Sequence, residues 1–131
     1  MKDNEKLINL IKKSISQYQK DLSTINEDVV KIQKRTFDDK IFDKDLITTL
    51  EDVNAYCKVK RKEFHMLTSV FTELKPKSNK FDELIDTCHE LIEKYETIIF
   101  KINNIKLVVN RIIMDKTVDN FKDILKEKME D

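Results

Sequence analysis

The chain has 131 residues, of which 38% are charged and 40% are apolar, and its 25 basic and 25 acidic side chains cancel. This balance favours narrow apolar stripes on helices and excludes a strong overall field that would hold nucleic acid or an anionic membrane. There is no apolar run of the roughly 20 residues that a spanning helix needs, and MKDNEKL is not a secretory signal. We therefore expect a cytoplasmic helical protein with at most peripheral membrane contact.

The first predicted helix covers about residues 4–34 and carries apolar residues at alternating spacings of three and four. That spacing is typical of a coiled-coil seam, and the residues between are largely charged or polar. The seam consists of Ile8, Ile11, Ile15, Tyr18, Leu22, Ile25, Val29 and Ile32. The stretch RTFDDKIFDKD at 35–45 then interrupts the phase and predicts a short link, with Asp43 or Asp45 capping the next helix.

The second predicted helix, about residues 45–75, has the same alternation with one exception. Its seam consists of Leu46, Leu50, Val53, Cys57, Lys60, Phe64, Leu67, Phe71 and Leu74. The exception is Lys60, and a lysine in a seam usually extends its ammonium group to solvent or specifies a partner.

The only proline of this glycine-free chain lies in ELKPKSNKFDEL at residues 73–84. Pro76 has no amide hydrogen and its ring clashes with the preceding turn, so a continuous helix is disfavoured, and Ser78 or Asn79 is the predicted cap for the restart. A full reversal usually uses glycine or a longer polar loop. The pattern therefore favours a sharp kink or tight corner at 75–80 and leaves a helical hairpin open.

The third predicted helix, about residues 79–127, has the longest seam. Its members are Phe81, Leu84, Cys88, Leu91, Tyr95, Ile98, Ile102, Ile105, Val109 and Ile112, and Ile85, Ile92, Ile99 and Val108 widen the stripe. Because this helix is much longer than the second, we expect part of it to overhang and expose its stripe.

The predicted fold is all-α: one helical coiled-coil domain over residues 1–131, shaped as an elongated or kinked rod. We expect that three seams on unequal helices cannot all be covered within one chain. The seam residues are therefore the predicted partner-binding residues, with other helical proteins in a hetero-oligomer or with further copies when the chain is isolated.

Metal ligands are present in the sequence, but their spacing does not favour a metal site. Cys57, His65, Cys88 and His89 are far apart or, for the last two, adjacent on a helix and about 100° apart in direction. The cysteines are better explained as small buried hydrophobic residues on the seams.

Catalysis and phosphate binding have no motif in this sequence. There is no glycine-rich loop, and DDKIFDKD lacks the glycine and the final glutamate of a calcium-binding EF-hand. The basic clusters at 58–62 and 75–80 have no interleaved aromatic residues, so solvated helix faces explain them better than nucleic-acid or lipid sites. We expect no enzyme, no cofactor, no metal and no nucleic-acid partner.

One family resemblance covers residues 50–109. The residues that carry it are Leu50-Glu51-Asp52-Val53-Asn54, Lys60 and Glu63, then Leu74-Lys75, Lys80-Phe81 and Leu84, with a one-residue gap. This pattern resembles subunit two of the biogenesis of lysosome-related organelles complex one, which also belongs to the lysosome-positioning complex BORC. The resemblance implies a non-catalytic helical subunit of a hetero-oligomeric rod on the cytosolic face of endosomes or lysosomes.

Two other functions remain open on the sequence alone. One is a coiled-coil subunit of a kinetochore or other cytoskeletal assembly. The other is a self-contained three-helix bundle that binds a helical target in a groove, like the amino-terminal domains of syntaxins. Stripe width and helix length separate the last from the first two.

Overall fold

The computed structural model of the protein describes residues 2–39 and 44–130, and in these ranges only Ser78 and Asn79 are not helical. Helix α1 spans Lys2–Asp39, α2 spans Lys44–Leu74, and α3 spans Lys80–Glu130. At about 1.5 Å per residue, these helices are about 57, 46 and 76 Å long. The described residues include no strand, and the predicted all-α fold of long helices is confirmed.

Helices α2 and α3 run antiparallel as a hairpin. Close to the corner the rings of Phe71 and Phe81 have centroids 6.0 Å apart, and further along the rings of Phe64 and Tyr95 are stacked at 5.9 Å. Residue numbers therefore increase along α3 in the direction in which they decrease along α2. The chain therefore reverses fully at Pro76. It does not form the kink that the sequence analysis favoured because the chain has no glycine.

Helix α1 runs parallel to α3. Lys12 Nζ lies 3.0 Å from Glu83 Oε2, and further along Lys101 Nζ donates a hydrogen bond of 2.9 Å to Asn26 Oδ1. Since α3 packs against both α1 and α2, whose backbones approach each other at very few points, α3 is the central element of an up-down-up three-helix bundle.

The reversal is made by a short segment without glycine. Lys75–Lys77 form one 3-10 turn with Pro76 at its start, and Ser78 then takes an extended conformation with φ −165° and ψ 136°. Ser78 Oγ accepts a hydrogen bond of 3.3 Å from the backbone N–H of Lys80, as one of the two predicted caps requires. An ion pair of 3.0 Å between Lys75 and Asp82 spans the corner.

The core follows the predicted seams closely. On α1 and α2 the deepest residues recur every seven positions, because the heptad keeps one face of each helix against α3. The buried apolar residues of these two helices are Ile8, Ile15, Leu22, Val29, Leu50, Cys57, Phe64 and Phe71. Those of α3 are Phe81, Leu84, Cys88, Leu91, Ile92, Tyr95, Ile98, Ile99, Ile102, Ile105 and Val109.

The link between α1 and α2 is shorter than predicted. Residues 35–39 were expected in the link but belong to α1, which ends at Asp39. Helix α2 begins at Lys44, and the predicted cap Asp43 lies outside the described residues.

The bundle ends where the seam of α3 loses its apolar residues. Ile112 is half-buried, and every residue from 113 to 130 is exposed. Continuing the seam by four and three beyond Ile112 leads to Lys116, Asp119, Asp123 and Lys126. These charged side chains cannot extend the core, so the last 18 residues of α3 project from the bundle. We call residues 113–130 the projecting segment.

Candidate interaction surface on the third helix

The predicted partner-binding residues lie almost entirely inside the chain. Fifteen of them are buried: Ile8, Ile15, Leu22, Val29, Leu50, Phe64, Phe71, Phe81, Leu84, Leu91, Tyr95, Ile98, Ile102, Ile105 and Val109. Five more are partly buried, namely Ile11, Ile25, Val53, Leu74 and Ile112, and Leu67 alone is exposed. The expectation that one chain cannot cover three seams therefore does not hold for the described residues, because the hairpin and α1 bury them together. A surface for a partner helix would therefore lie outside these seams.

The seam exception Lys60 packs among aromatic rings between α1 and α2. Its Nζ lies 5.0 Å from the ring centroid of Tyr18 and 5.5 Å from that of Tyr56, and it forms an ion pair of 2.9 Å with Glu63. The hydrogen bond to Glu63 is the main cause that raises the pKa of Lys60. The lysine thus keeps its charge at the bundle surface while its stem covers apolar residues, which is the first of the two roles that the sequence left open.

The two cysteines are free and buried, as predicted. Burial raises the pKa of the Cys57 thiol to about 11 and, as the larger of two causes, raises that of Cys88. Both thiols are therefore protonated at neutral pH, which makes them poor nucleophiles and poor metal ligands. No group of three or more His, Cys, Asp or Glu side chains within residues 2–39 and 44–130 is placed to hold a metal ion.

Part of the basic clusters is engaged in ion pairs within the chain. Besides Lys60 and Lys75, Lys80 Nζ lies 3.6 Å from Glu5 Oε1 on α1. These pairs use charges that a phosphate-binding surface would need free. The helices of the described chain include none that is long and apolar enough to cross a membrane.

An exposed apolar stripe runs along α3 on the side away from the core. Its six residues are Phe100, Leu107, Met114, Val118, Phe121 and Leu125, and each is between 50% and 67% exposed. We call this set the outer stripe. These residues are spaced by three and four like the seam, except that Asn104 and Arg111 occupy two of the positions. The spacing starts at Phe100, two residues after the seam residue Ile98. Two residues turn a helix by about 200°, so the outer stripe lies opposite the seam.

The outer stripe extends from the bundle onto the projecting segment. Phe100 and Leu107 lie on the bundle, and the other four residues belong to the projecting segment. Most helical stability in proteins comes from packing of an apolar face, and the projecting segment has no such packing within the chain. A large exposed apolar patch of this kind marks an interaction surface.

A groove lies beside the stripe where α1 ends. It encloses about 520 Å³ and its apolar walls include Phe37 of α1 with Val108 and Ile112 of α3. Arg111 and Asp115 line its rim. Here the stripe and the end of the bundle form one continuous surface.

The other exposed apolar residues form shorter patches. On α2 they are Val59, Met66, Leu67 and Val70, on α1 they are Leu7, Leu10, Val30 and Phe37, and on α3 they are Ile113, Ile124 and Met129. None of these patches keeps a heptad spacing over four turns. The outer stripe is therefore the surface best suited to a partner helix.

Comparison with family models, curated proteins and solved structures gave no match to this chain.

Proposed function

We propose that the protein is a non-catalytic helical scaffold subunit, a self-contained three-helix bundle that binds another helical protein along the outer stripe of α3. The observation that carries this proposal is the outer stripe itself: six exposed large apolar residues at heptad spacing on the face opposite the covered core. Helical targets bind such surfaces through apolar residues at matching spacing. The covered seams support the self-contained bundle over a rod whose seams all await partners.

A role in endosomal or lysosomal trafficking is the second part of the proposal. It is supported by the resemblance of residues 50–109 to a subunit of the lysosome-related organelle and BORC complexes. The helical architecture is equally suited to a kinetochore or cytoskeletal assembly, so the residues of that resemblance are the only support for the endosomal location.

The experiment is affinity capture of the tagged full-length protein from its native cells, quantified by mass spectrometry. Three versions are compared: the natural sequence, Phe100→Lys on the outer stripe, and Met66→Lys on α2. Both substituted side chains are exposed, so neither change disturbs the core. We expect Phe100→Lys to lose specific helical partners that Met66→Lys keeps, because a lysine charge would be desolvated in the contact.

Equal capture by all three versions would overturn the scaffold proposal. The identity of the partners tests the trafficking part separately. Endosomal or lysosomal proteins among the lost partners would support it, and partners from another assembly would remove it while leaving the scaffold function in place.

A further inference from the structure

We infer that the projecting segment pairs antiparallel with the projecting segment of a second copy of this chain, forming a dimer with the two bundles at opposite ends. The inference deepens the proposed function and rests on it in one respect, namely that the outer stripe is a binding surface. It assigns the far end of that stripe to self-association. Phe100 and Leu107 lie outside the paired region and stay available to a different partner.

The apolar residues of the projecting segment match themselves when one copy is reversed. In the heptad of the outer stripe, Val118 and Leu125 occupy a positions, and Met114 and Phe121 occupy d positions. In an antiparallel coiled coil the a positions of one helix pack against the d positions of the other. With the pairing centred between residues 119 and 120, Val118 meets Phe121 of the second copy, and Met114 meets Leu125 of the second copy. Two-fold symmetry repeats both contacts, so four consecutive apolar layers close without a polar residue.

The flanking charges favour the same register. Asp115 and Lys122 each follow a d residue of the stripe and border the apolar layers on one side. In the antiparallel register Asp115 lies opposite Lys122 of the second copy, and symmetry gives the reciprocal pair. In a parallel pairing, Asp115 would instead lie opposite Asn110 and Lys122 opposite Thr117, so no ion pair would form. Complementary flanking charges of this kind set helix orientation in coiled coils.

The end of the projecting segment fits the groove at the end of the bundle. Met129 is 85% exposed, more than any other large apolar residue among those described. The register that pairs Asp115 with Lys122 also places Met129 of one copy beside Val108 of the other. Val108 lines the groove formed with Phe37 and Ile112. The same register thus gives the most exposed apolar side chain an apolar contact.

The paired region has a defined limit. Beyond the four apolar layers, Arg111 meets Lys128 of the second copy at both ends, where the side chains are exposed to solvent. Like charges disfavour further pairing at these layers. The contact therefore stays confined to the projecting segments and the adjoining groove.

The test is the mass of the full-length protein in solution, measured by sedimentation equilibrium up to about 100 μM. We expect a monomer–dimer equilibrium for the natural sequence. Met114→Lys should raise the dimer dissociation constant by about 100-fold or more, because two charges enter the apolar layers. Met66→Lys is the matched control, since Met66 is 63% exposed and Met114 is 66% exposed, and it should not change the dissociation constant.

Charge reversal tests the orientation. Asp115→Lys and Lys122→Asp should each weaken the dimer by about tenfold at low salt, because two attractive pairs become repulsive. The double variant Asp115→Lys/Lys122→Asp should restore the natural dissociation constant. Far-UV circular dichroism at a fixed concentration checks that each variant keeps its helix content.

Each outcome bears on the inference. A monomer at every concentration, or a dimer that Met66→Lys disrupts and Met114→Lys does not, would overturn it. A dimer without rescue by the double variant would overturn the antiparallel register. A monomer whose capture of another protein depends on Phe100 would overturn the self-association while leaving the proposed function supported.

Discussion

The ring of Tyr18 on α1 meets the ring of Phe64 on α2 edge to face, with centroids 5.5 Å apart. Phe64 also stacks on Tyr95 of α3, so one side chain touches residues of all three helices. The backbones of α1 and α2 approach each other at very few points, and the rings of Tyr18 and Phe64 meet between them. Phe64 of α2 therefore connects α1 and α3 through its ring contacts.

Phe64→Ala should lower the free energy of unfolding by about 3–5 kcal/mol, because it removes a buried ring from the meeting point of three helices and leaves a cavity. Urea unfolding followed by circular dichroism measures the change. The control Met66→Ala, two residues further along α2 on the exposed face, should change stability by no more than about 0.5 kcal/mol. Similar losses for both variants would show that α2 faces α3 differently.

Lys60→Gln should lower the free energy of unfolding by about 0.5–1 kcal/mol. The substitution removes the ammonium group from between the rings of Tyr18 and Tyr56 while keeping most of the aliphatic stem. Lys58→Gln, at an exposed position of the same helix, is the control and should have no measurable effect. If Lys60→Gln were stabilising, the lysine would be a partner-specifying residue and not part of the bundle.

Pro76→Ala should leave the overall dimensions of the protein unchanged. Alanine raises helix propensity at the corner by about 3 kcal/mol, but a continuous helix would separate Phe71 from Phe81 and Phe64 from Tyr95. The loss of that core far exceeds the gain in propensity. Small-angle X-ray scattering gives the maximum dimension, and a clear increase for the variant would mean that the proline alone maintains the reversal.

Alkaline pH should destabilise the bundle through its buried thiol. The pKa of Cys57 rises from 9.0 to about 11 on burial, so the folded state holds the proton more tightly than the unfolded state. The resulting stability is fully present below about pH 9 and is lost as pH rises through about 11. Burial raises the pKa of Tyr95 as well, and the effect has the same sign.

Urea midpoints across this pH window, together with thiol labelling, measure the effect. Labelling should be slow in the folded protein and fast in denaturant for both cysteines. Rapid labelling of Cys57 at neutral pH in the folded protein would contradict its burial.

The spacing of three and four predicted the core because a heptad leaves little choice about which face of a helix is buried. It could not predict what covers that face, since an apolar seam looks the same whether the partner helix is in the same chain or another. The deciding feature was the corner at Pro76, where one 3-10 turn and the extended Ser78 reverse the chain without the glycine that such reversals usually use.

The outer stripe is harder to recognise in the sequence. Asn104 and Arg111 interrupt its phase, and along the bundle the opposite face of α3 carries the stronger apolar seam. The signal that reveals it is the change after Ile112, where the seam positions become charged and the apolar residues shift to the opposite face.

Helix α3 has one face for the chain's own core, and we propose that the opposite, exposed face binds partners. Thermal unfolding of Ile105→Asp and Leu107→Asp at the same low concentration tests it most directly, because these residues lie two positions apart and are 0% and 67% exposed. We expect Ile105→Asp to abolish the cooperative transition or lower its midpoint sharply, and Leu107→Asp to melt like the natural protein. Equal destabilisation by the two substitutions, or a greater effect of Leu107→Asp, would contradict it.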